Sequence, residues 1–125
     1  MSATDQFIDA LGRLESERDL EPLVELFADD CTLQNVTVGE DHHGKDGARG
    51  FWQDDRKLFD EVRSEFRNVI VDGDRAALEW TRHGTARDGG SVEYAGVSVM
   101  EFGDGGIARF MAYFHPRELG RQTTQ

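Results

Sequence analysis

Val97-Ser-Val-Met-Glu-Phe-Gly-Asp-Gly-Gly-Ile-Ala-Arg-Phe-Met-Ala-Tyr-Phe-His-Pro116 decides the fold. It reads as two long strands, Ser91 to Phe102 and Ile107 to Phe114, joined by a Gly/Asp turn. Pro116 stops the second strand, because proline has no N–H for the next rung of a ladder. Two strands this long, closing a chain that begins with helices, predict a strongly curved sheet wrapped over those helices. A sheet of that shape makes a cavity.

Upstream, Arg75 to Ala86 reads as another strand, set off by Asp72-Gly73-Asp74 on one side and by the hairpin signal Asp88-Gly89 on the other. Arg63 to Val71 alternates and reads as a strand, and so does Cys31 to Val38. Between them lies the cleanest helical stripe, Ala48, Phe51, Trp52, Leu58, Phe59 and Val62. Gly39 to Gly47 reads as a polar loop. The spacing of Phe7, Ile8, Leu11 and Leu14 predicts a first helix, with Thr4 as its N-cap. A second helix is expected after Asp19, with Pro22 in its first turn, where a missing N–H does little harm. The order helix, helix, strand, helix and four hairpin-linked strands is α+β, with helices gathered on one face of the sheet.

The 125 residues suffice for one domain, 1–125, with a core that needs no disulfide and a polar, frayed tail over 117–125. A lone cysteine, Cys31, fits a reducing, cytoplasmic setting and reads as a small buried hydrophobe. Met1 to Phe7 lacks the basic and apolar regions of a secretion signal. Asp and Glu number 25 against 14 Lys and Arg, a formal charge of −11. That balance excludes binding driven by phosphate or anionic lipid, so neither nucleic acid nor membrane is an expected partner.

Hairpin geometry assigns faces. With Asp88-Gly89 as a two-residue turn, Arg87 pairs with Gly90, and His83, Thr81 and Glu79 lie opposite Tyr94, Gly96 and Ser98. Opposed residues share a face. One surface then carries Glu79, Thr81, His83, Tyr94, Gly96, Ser98 and Met100. The other carries Leu78, Trp80, Arg82, Ala95, Val97 and Val99. Hydrophobic patterning alone makes the second surface the core and leaves Glu79 in water. The alternative covers both faces, one by helices around a cavity and one by a second subunit. The final turn is also open. A two-residue Asp104-Gly105 loop aligns Arg109, Met111 and Tyr113 with Ser98, whereas a three-residue loop from Gly103 aligns Phe110, Ala112 and Phe114.

Glu79 and His83 are four residues apart on one strand face, about 13 Å, so each would act through a ligand. A carboxylate in an apolar cavity has a raised pKa, which suits acid/base work. Adjacent His42 and His43 point apart on extended backbone, and no further group stands at metal-ligand spacing, so no metal is expected. No phosphate-binding Gly-rich motif occurs. His115 reads as the cap of the last strand.

The element order, with Leu26-Phe-Ala-Asp-Asp-Cys-Thr-Leu33, His43-Gly-Lys-Asp-Gly47, Trp80, and Gly105-Gly-Ile107 before Met111-Ala-Tyr-Phe-His-Pro116, resembles the nuclear transport factor 2-like superfamily, and within it the SnoaL-like polyketide cyclase and ketosteroid isomerase branch. The resemblance implies a cone: three N-terminal helices packed in a strongly curved, mixed, mostly antiparallel sheet, with a central pocket. It implies that Asn35, Glu79, Thr81, His83, Ser98, Phe110, Ala112 and Phe114 face that pocket, and that dimers form through the outer sheet face, here Trp80, Arg82, Val97 and Val99. Departures from the pattern carry weight. Ketosteroid isomerases place their general-base Asp where this chain has Asn35, their oxyanion-binding acid at Ser98 and a Tyr at Leu11. Limonene epoxide hydrolase-like members carry an Asp at Ala112. Many relatives have Tyr-Phe-Asp where this chain has Tyr113-Phe114-His115. A carboxamide takes no proton from carbon at neutral pH, so neither mechanism transfers. The expectation is a cofactor-independent protein for a hydrophobic, polyketide- or steroid-like small molecule. Glu79 and His83 are the candidate acid/base groups, Ser98 and Asn35 the hydrogen-bonding groups, and Phe51, Trp52, Phe59, Met100, Phe110 and Phe114 the walls. The alternative is a non-catalytic ligand-binding or interaction module of the same fold.

Overall fold

A computed structural model describes residues 2–115; the expected tail over 117–125 and the stop at Pro116 lie outside the described residues. The first helix, α1 (Ala3–Glu17), is capped by Ser2, whose Oγ accepts from Asp5 N at 3.1 Å; Thr4 lies inside the helix and is buried. Its apolar stripe of Phe7, Leu11 and Leu14 packs into the core, and Arg18 ends it in the left-handed region. A single turn, α2 (Glu21–Val24), follows, with Pro22 in its first turn, and buries Leu23 and Val24.

The first strand, β1 (Phe27–Asn35), starts four residues before Cys31, because Phe27 is drawn into the core and pairs with Ile107. Next comes β2 (Glu40–His43), which reads as loop in sequence because this edge strand is wholly polar and mostly exposed. The third helix, α3 (Gly44–Lys57), ends before the stripe does. Phe59 and Val62 continue the helical period, yet they belong to β3 (Phe59–Asp72) and fill a second core cluster with Tyr94 and Val92. Arg56 enforces the break: its guanidinium donates to the carbonyls of Phe59 (2.8 Å) and Asp60 (3.0 Å). The chain then runs through β4 (Arg75–Ala86), β5 (Ser91–Gly103) and β6 (Gly106–Phe114).

The sheet has six strands in the order β2-β1-β6-β5-β4-β3. The β1–β6 pair is parallel and the other neighbours are antiparallel, so the sheet is mixed and is not closed. The helices cover one face of it, and the main core forms between them.

The central hairpin corrects the expected register by one residue. Ala86 N bonds to Gly90 O, and Gly89 at φ +94 supplies the positive φ of a three-residue loop. Leu78, Trp80 and Arg82 therefore stand opposite Ser98, Gly96 and Tyr94 on the helix-covered face. Glu79, Thr81 and His83 stand opposite Val97, Ala95 and Glu93 on the outer face. A one-residue slip exchanges every side chain between faces. The expected outer-face contact is corrected likewise: Trp80 and Arg82 are buried inside, and only Val97 and Val99 of that set lie outside. Hydrophobic patterning thus reads β4 correctly, and the turn length misaligns β5 against it.

The last hairpin combines both of its alternatives. Gly103 pairs with Gly106 across a two-residue Asp104-Gly105 turn, but the register shifts at Glu101/Phe102, with Ala108 as the extra residue. The bulge brings Phe110 and Ala112 opposite Met100 and Ser98, and Phe114 opposite Gly96.

Gly96 tests this register. A methyl group there would meet Trp80 Cζ2 at 2.6 Å and also the backbone oxygen of Tyr113, whereas one at Gly12, within α1, would meet nothing within 4 Å. Gly96→Ala is expected to cost about 2 kcal/mol or more in urea unfolding. Gly12→Ala is expected to gain about 0.5–1 kcal/mol. A neutral Gly96→Ala would overturn the placement of Trp80.

Candidate functional site

Between the helices and the inner sheet face lies a small cavity. Only about 40 Å³ of it admits the centre of a water molecule. That is room for about three waters, or one aromatic ring, before a wall must move. One wall is the aromatic group of Phe7, Phe51, Trp52 and Phe110, with Trp52 and Phe110 centroids 5.1 Å apart. A second aromatic group of the lining is Trp80, Tyr94 and Phe114, edge to face at 5.4 and 5.5 Å across Tyr94. Asn35, Ser98 and Ala112 complete the lining from β1, β5 and β6, and Asp55, Ser64 and Arg82 form its charged end.

That end is an ion cluster centred on Arg82. Its Nη2 donates to Glu15 Oε2 at 3.0 Å, Nη1 to Asp55 Oδ1 at 2.8 Å and to Tyr94 Oη at 3.1 Å, and Nε to Ser64 Oγ at 3.0 Å. Glu15 also accepts from Ser64 N at 3.0 Å and from Ser64 Oγ. Arg82 and Glu15 side chains are 7% and 5% exposed, and Asp55 is 21% exposed. Burial pulls the Arg82 guanidinium down, but Asp55, Tyr94 and Glu15 outweigh it and hold the group well above its ordinary value. Burial pushes the Tyr94 hydroxyl up to about 12, against a smaller opposite pull from Arg82. Tyr94 is thus a neutral hydroxyl at physiological pH. It accepts from Arg82, which leaves its own proton free to donate. Ser98 stands in the same position, accepting from Trp80 Nε1 at 2.9 Å.

Among the described residues, three buried side-chain atoms have no hydrogen-bond partner: Asn35 Oδ1, Trp52 Nε1 and Asp55 Oδ2. All three residues line this cavity. Leaving such a group unpaired costs about 1–3 kcal/mol, and all three belong to residues of one lining.

The expected site residues divide between lining and non-lining positions. Asn35, Phe51, Trp52, Ser98, Phe110, Ala112 and Phe114 line the cavity. Phe59 and Met100 are buried in the core behind it. Thr81, Glu79 and His83 do not reach it. Thr81 accepts from Arg67, Glu79 accepts from Asn68 Nδ2 at 2.9 Å, and His83 sits between Glu65 (2.6 Å) and Glu93 (3.1 Å) on the outer face. Their placement inside followed from the two-residue turn and from the resemblance, and the register corrects both. His42 packs edge-on against Phe51 at 5.4 Å, and His43 is the N-cap of α3. Cys31 is buried, its Sγ donating to Gly44 O at 3.3 Å, with burial pushing the thiol up. No group of three His, Cys, Asp or Glu side chains is arranged to hold a metal among the described residues.

Glu15, Asp55 and Arg82 escaped the sequence reading, although each left a signal. Glu15 is four residues past Leu11 on the buried stripe of α1, and Asp55 is three past Trp52 on α3. Arg82 continues the Leu78, Trp80 alternation. Charges of opposite sign on three apolar faces have to meet, because none can be buried alone.

The raised pKa of Tyr94 has a consequence for stability. An unfolded tyrosine titrates near ~10, so the folded protein keeps this proton to higher pH. The stability this contributes is complete below pH ~10 and is lost as pH rises through about 12. With two tyrosines in the chain, Tyr113→Phe leaves Tyr94 alone to be followed by ultraviolet absorbance. The expected phenolate midpoint is about 12. A midpoint near ~10 in the folded protein would show Tyr94 solvated.

No helix is long and apolar enough to cross a membrane among the described residues. A search of the curated proteins found no match. Among solved structures, the chain is similar to a nuclear transport factor 2-like protein of unknown function from Burkholderia pseudomallei, at 25% identity, with all of both chains covered and a TM-score of 0.84. It is similar in fold to TerC co-crystallised with polyporic acid, at 20% identity, covering 99% of this chain and 100% of that one, TM-score 0.82. A candidate polyketide cyclase from Xanthomonas campestris is 20% identical, with 97% and 96% covered and a TM-score of 0.75. The family model described as a SnoaL-like domain matches residues 4–110, and with the six-stranded mixed sheet and its helix-covered cavity, the chain belongs to the SnoaL-like domain family.

Proposed function

We propose that this protein binds a flat, mainly apolar small molecule of the aromatic polyketide type in the cavity between its helices and sheet. The observation that carries the reading is that the three residues with unpartnered buried polar atoms all line one space rich in aromatic side chains. The aromatic rings of the lining favour a planar ligand, since they offer faces and edges for stacking. Trp52 Nε1 calls for an acceptor on the ligand, and Asn35 Oδ1 and Asp55 Oδ2 call for donors. Hydroxylated aryl ketones present both. The size of the space favours a single ring over the four of a steroid. Fold neighbours that include a complex with polyporic acid and a candidate polyketide cyclase support the same chemical class.

Acids are missing at Asn35, Ser98 and Ala112, which removes the routes by which known relatives act. The chemistry open to this cavity is proton transfer by its own charged end, with no cofactor. Isothermal titration against hydroxylated one- and two-ring aryl ketones tests the binding. At least one member is expected to bind, and Trp52→Phe, which keeps the ring and deletes the N–H, is expected to weaken it about five- to tenfold. No binding by any member, or equal affinity in the variant, would contradict the reading.

A further inference from the structure

Away from the cavity, four cations gather at the junction of α3 and β3, and we propose that this junction binds a small dianion of the phosphate type through Arg18, Arg56, Lys57 and Arg87.

Backbone carbonyls hold the cluster together. Arg56 donates to Phe59 O at 2.8 Å and to Asp60 O at 3.0 Å, and Arg18 Nη2 donates to the same Asp60 oxygen at 3.0 Å. Arg87, just past the end of β4, donates to Lys57 O at 3.3 Å. Two guanidinium nitrogens on one oxygen lie within about 6 Å of each other, a like-charge contact that a bound anion relieves. The protein does not supply that anion: none of the four cations forms an ion pair among the described residues. Every other Lys and Arg among them, Arg75 excepted, has a carboxylate within 3.7 Å. The lack is out of character for a chain of net charge −11. Even the exposed carboxylates of Asp60 and Glu61, at the junction itself, pair with none of the four.

Arg56 has the strongest call for a counter-charge. Its side chain is 6% exposed, and its hydrogen bonds go to carbonyls, those of Leu14, Phe59 and Asp60. Burial, then the charges of Arg18 and Arg82, hold its guanidinium below the ordinary value against a weaker pull from Glu15 and Asp55. The C-terminal ends of α1 and α3 offer the equivalent of about half a negative charge each, which falls short of four cations. Donors remain as well. A guanidinium carries five N–H groups, and Arg18 and Arg87 each use one in the bonds above. Forked N–H pairs match the oxygens of a phosphate. Several positive charges at one place favour two negative charges on the ligand over the single one of a carboxylate. The overall charge argues against a long polyanion laid over the surface, but not against a small anion held at one point. None of the four residues lines the cavity, so this site is independent of the cavity's ligand.

Titration calorimetry with inorganic phosphate and with glycerol 3-phosphate, at neutral pH and low ionic strength, tests the site. The wild type is expected to bind one equivalent of at least one of them with a Kd below about 1 mM. The tighter of the two tells whether the group is free or esterified. Arg18→Gln and Arg87→Gln, both at exposed positions, are each expected to weaken binding about three- to tenfold. Arg75→Gln removes the same charge from the opposite end of β4 and is expected to change affinity by less than about 1.5-fold. Absence of saturable binding overturns the proposal, and so does unchanged affinity in Arg18→Gln and Arg87→Gln. Equal weakening by Arg75→Gln and Arg18→Gln overturns it too, because it reduces the effect to overall charge. Should a junction variant fail to fold, the wild type decides by NMR. The side-chain N–H resonances of Arg18 and Arg87 must then move as phosphate saturates, and unmoved resonances overturn the site.

Discussion

Arg82 is the point at which this fold and its cavity become one problem. A guanidinium on the inner face of β4 cannot be buried without counter-charge, and the chain supplies it from α1 (Glu15) and α3 (Asp55). Ser64 on β3 and Tyr94 on β5 complete the shell. One side chain thereby ties two helices to three strands through directional bonds, where apolar packing alone would allow sliding. The same bonds set the polarity of the charged end: they leave one carboxylate oxygen of Asp55 unused and engage the Tyr94 oxygen, while burial keeps that hydroxyl neutral.

Much of the architecture is legible from local chemistry. The limits of β4 follow from the turns on either side of it, and Phe7, Leu11 and Leu14 mark the buried face of α1. Three features resist sequence reading for identifiable reasons. The polar strand β2 has no apolar alternation to reveal it. The stripe from Ala48 to Val62 keeps a helical period across a true break, because Phe59 and Val62 are apolar for the sake of a different core cluster. The hairpin at Asp88-Gly89 accepts two or three residues, and that single residue decides whether Glu79 or Trp80 looks inward.

The candidate site suffers most from the last of these. Its apolar part is the easier to read, since Trp52, Phe110 and Phe114 are large apolar residues on periodic faces and line the cavity. The charged end is not, because Glu79 and His83 draw attention by their chemistry while sitting among ion partners on the outer face. The useful signal was less conspicuous: Glu15, Asp55 and Arg82 each interrupt an otherwise apolar face. A charge in such a place has to find a partner, and these three find one another.

Equilibrium unfolding of Arg82→Met beside Glu79→Gln tests the account most directly. Removing one partner of a buried ion cluster leaves the other charges uncompensated, so Arg82→Met is expected to lose about 3–5 kcal/mol. Glu79→Gln, on the exposed outer face, is expected to stay within about 0.5–1 kcal/mol of the wild type. An Arg82→Met variant as stable as the wild type, or a Glu79→Gln variant that loses more than it, would contradict the central role of the buried cluster.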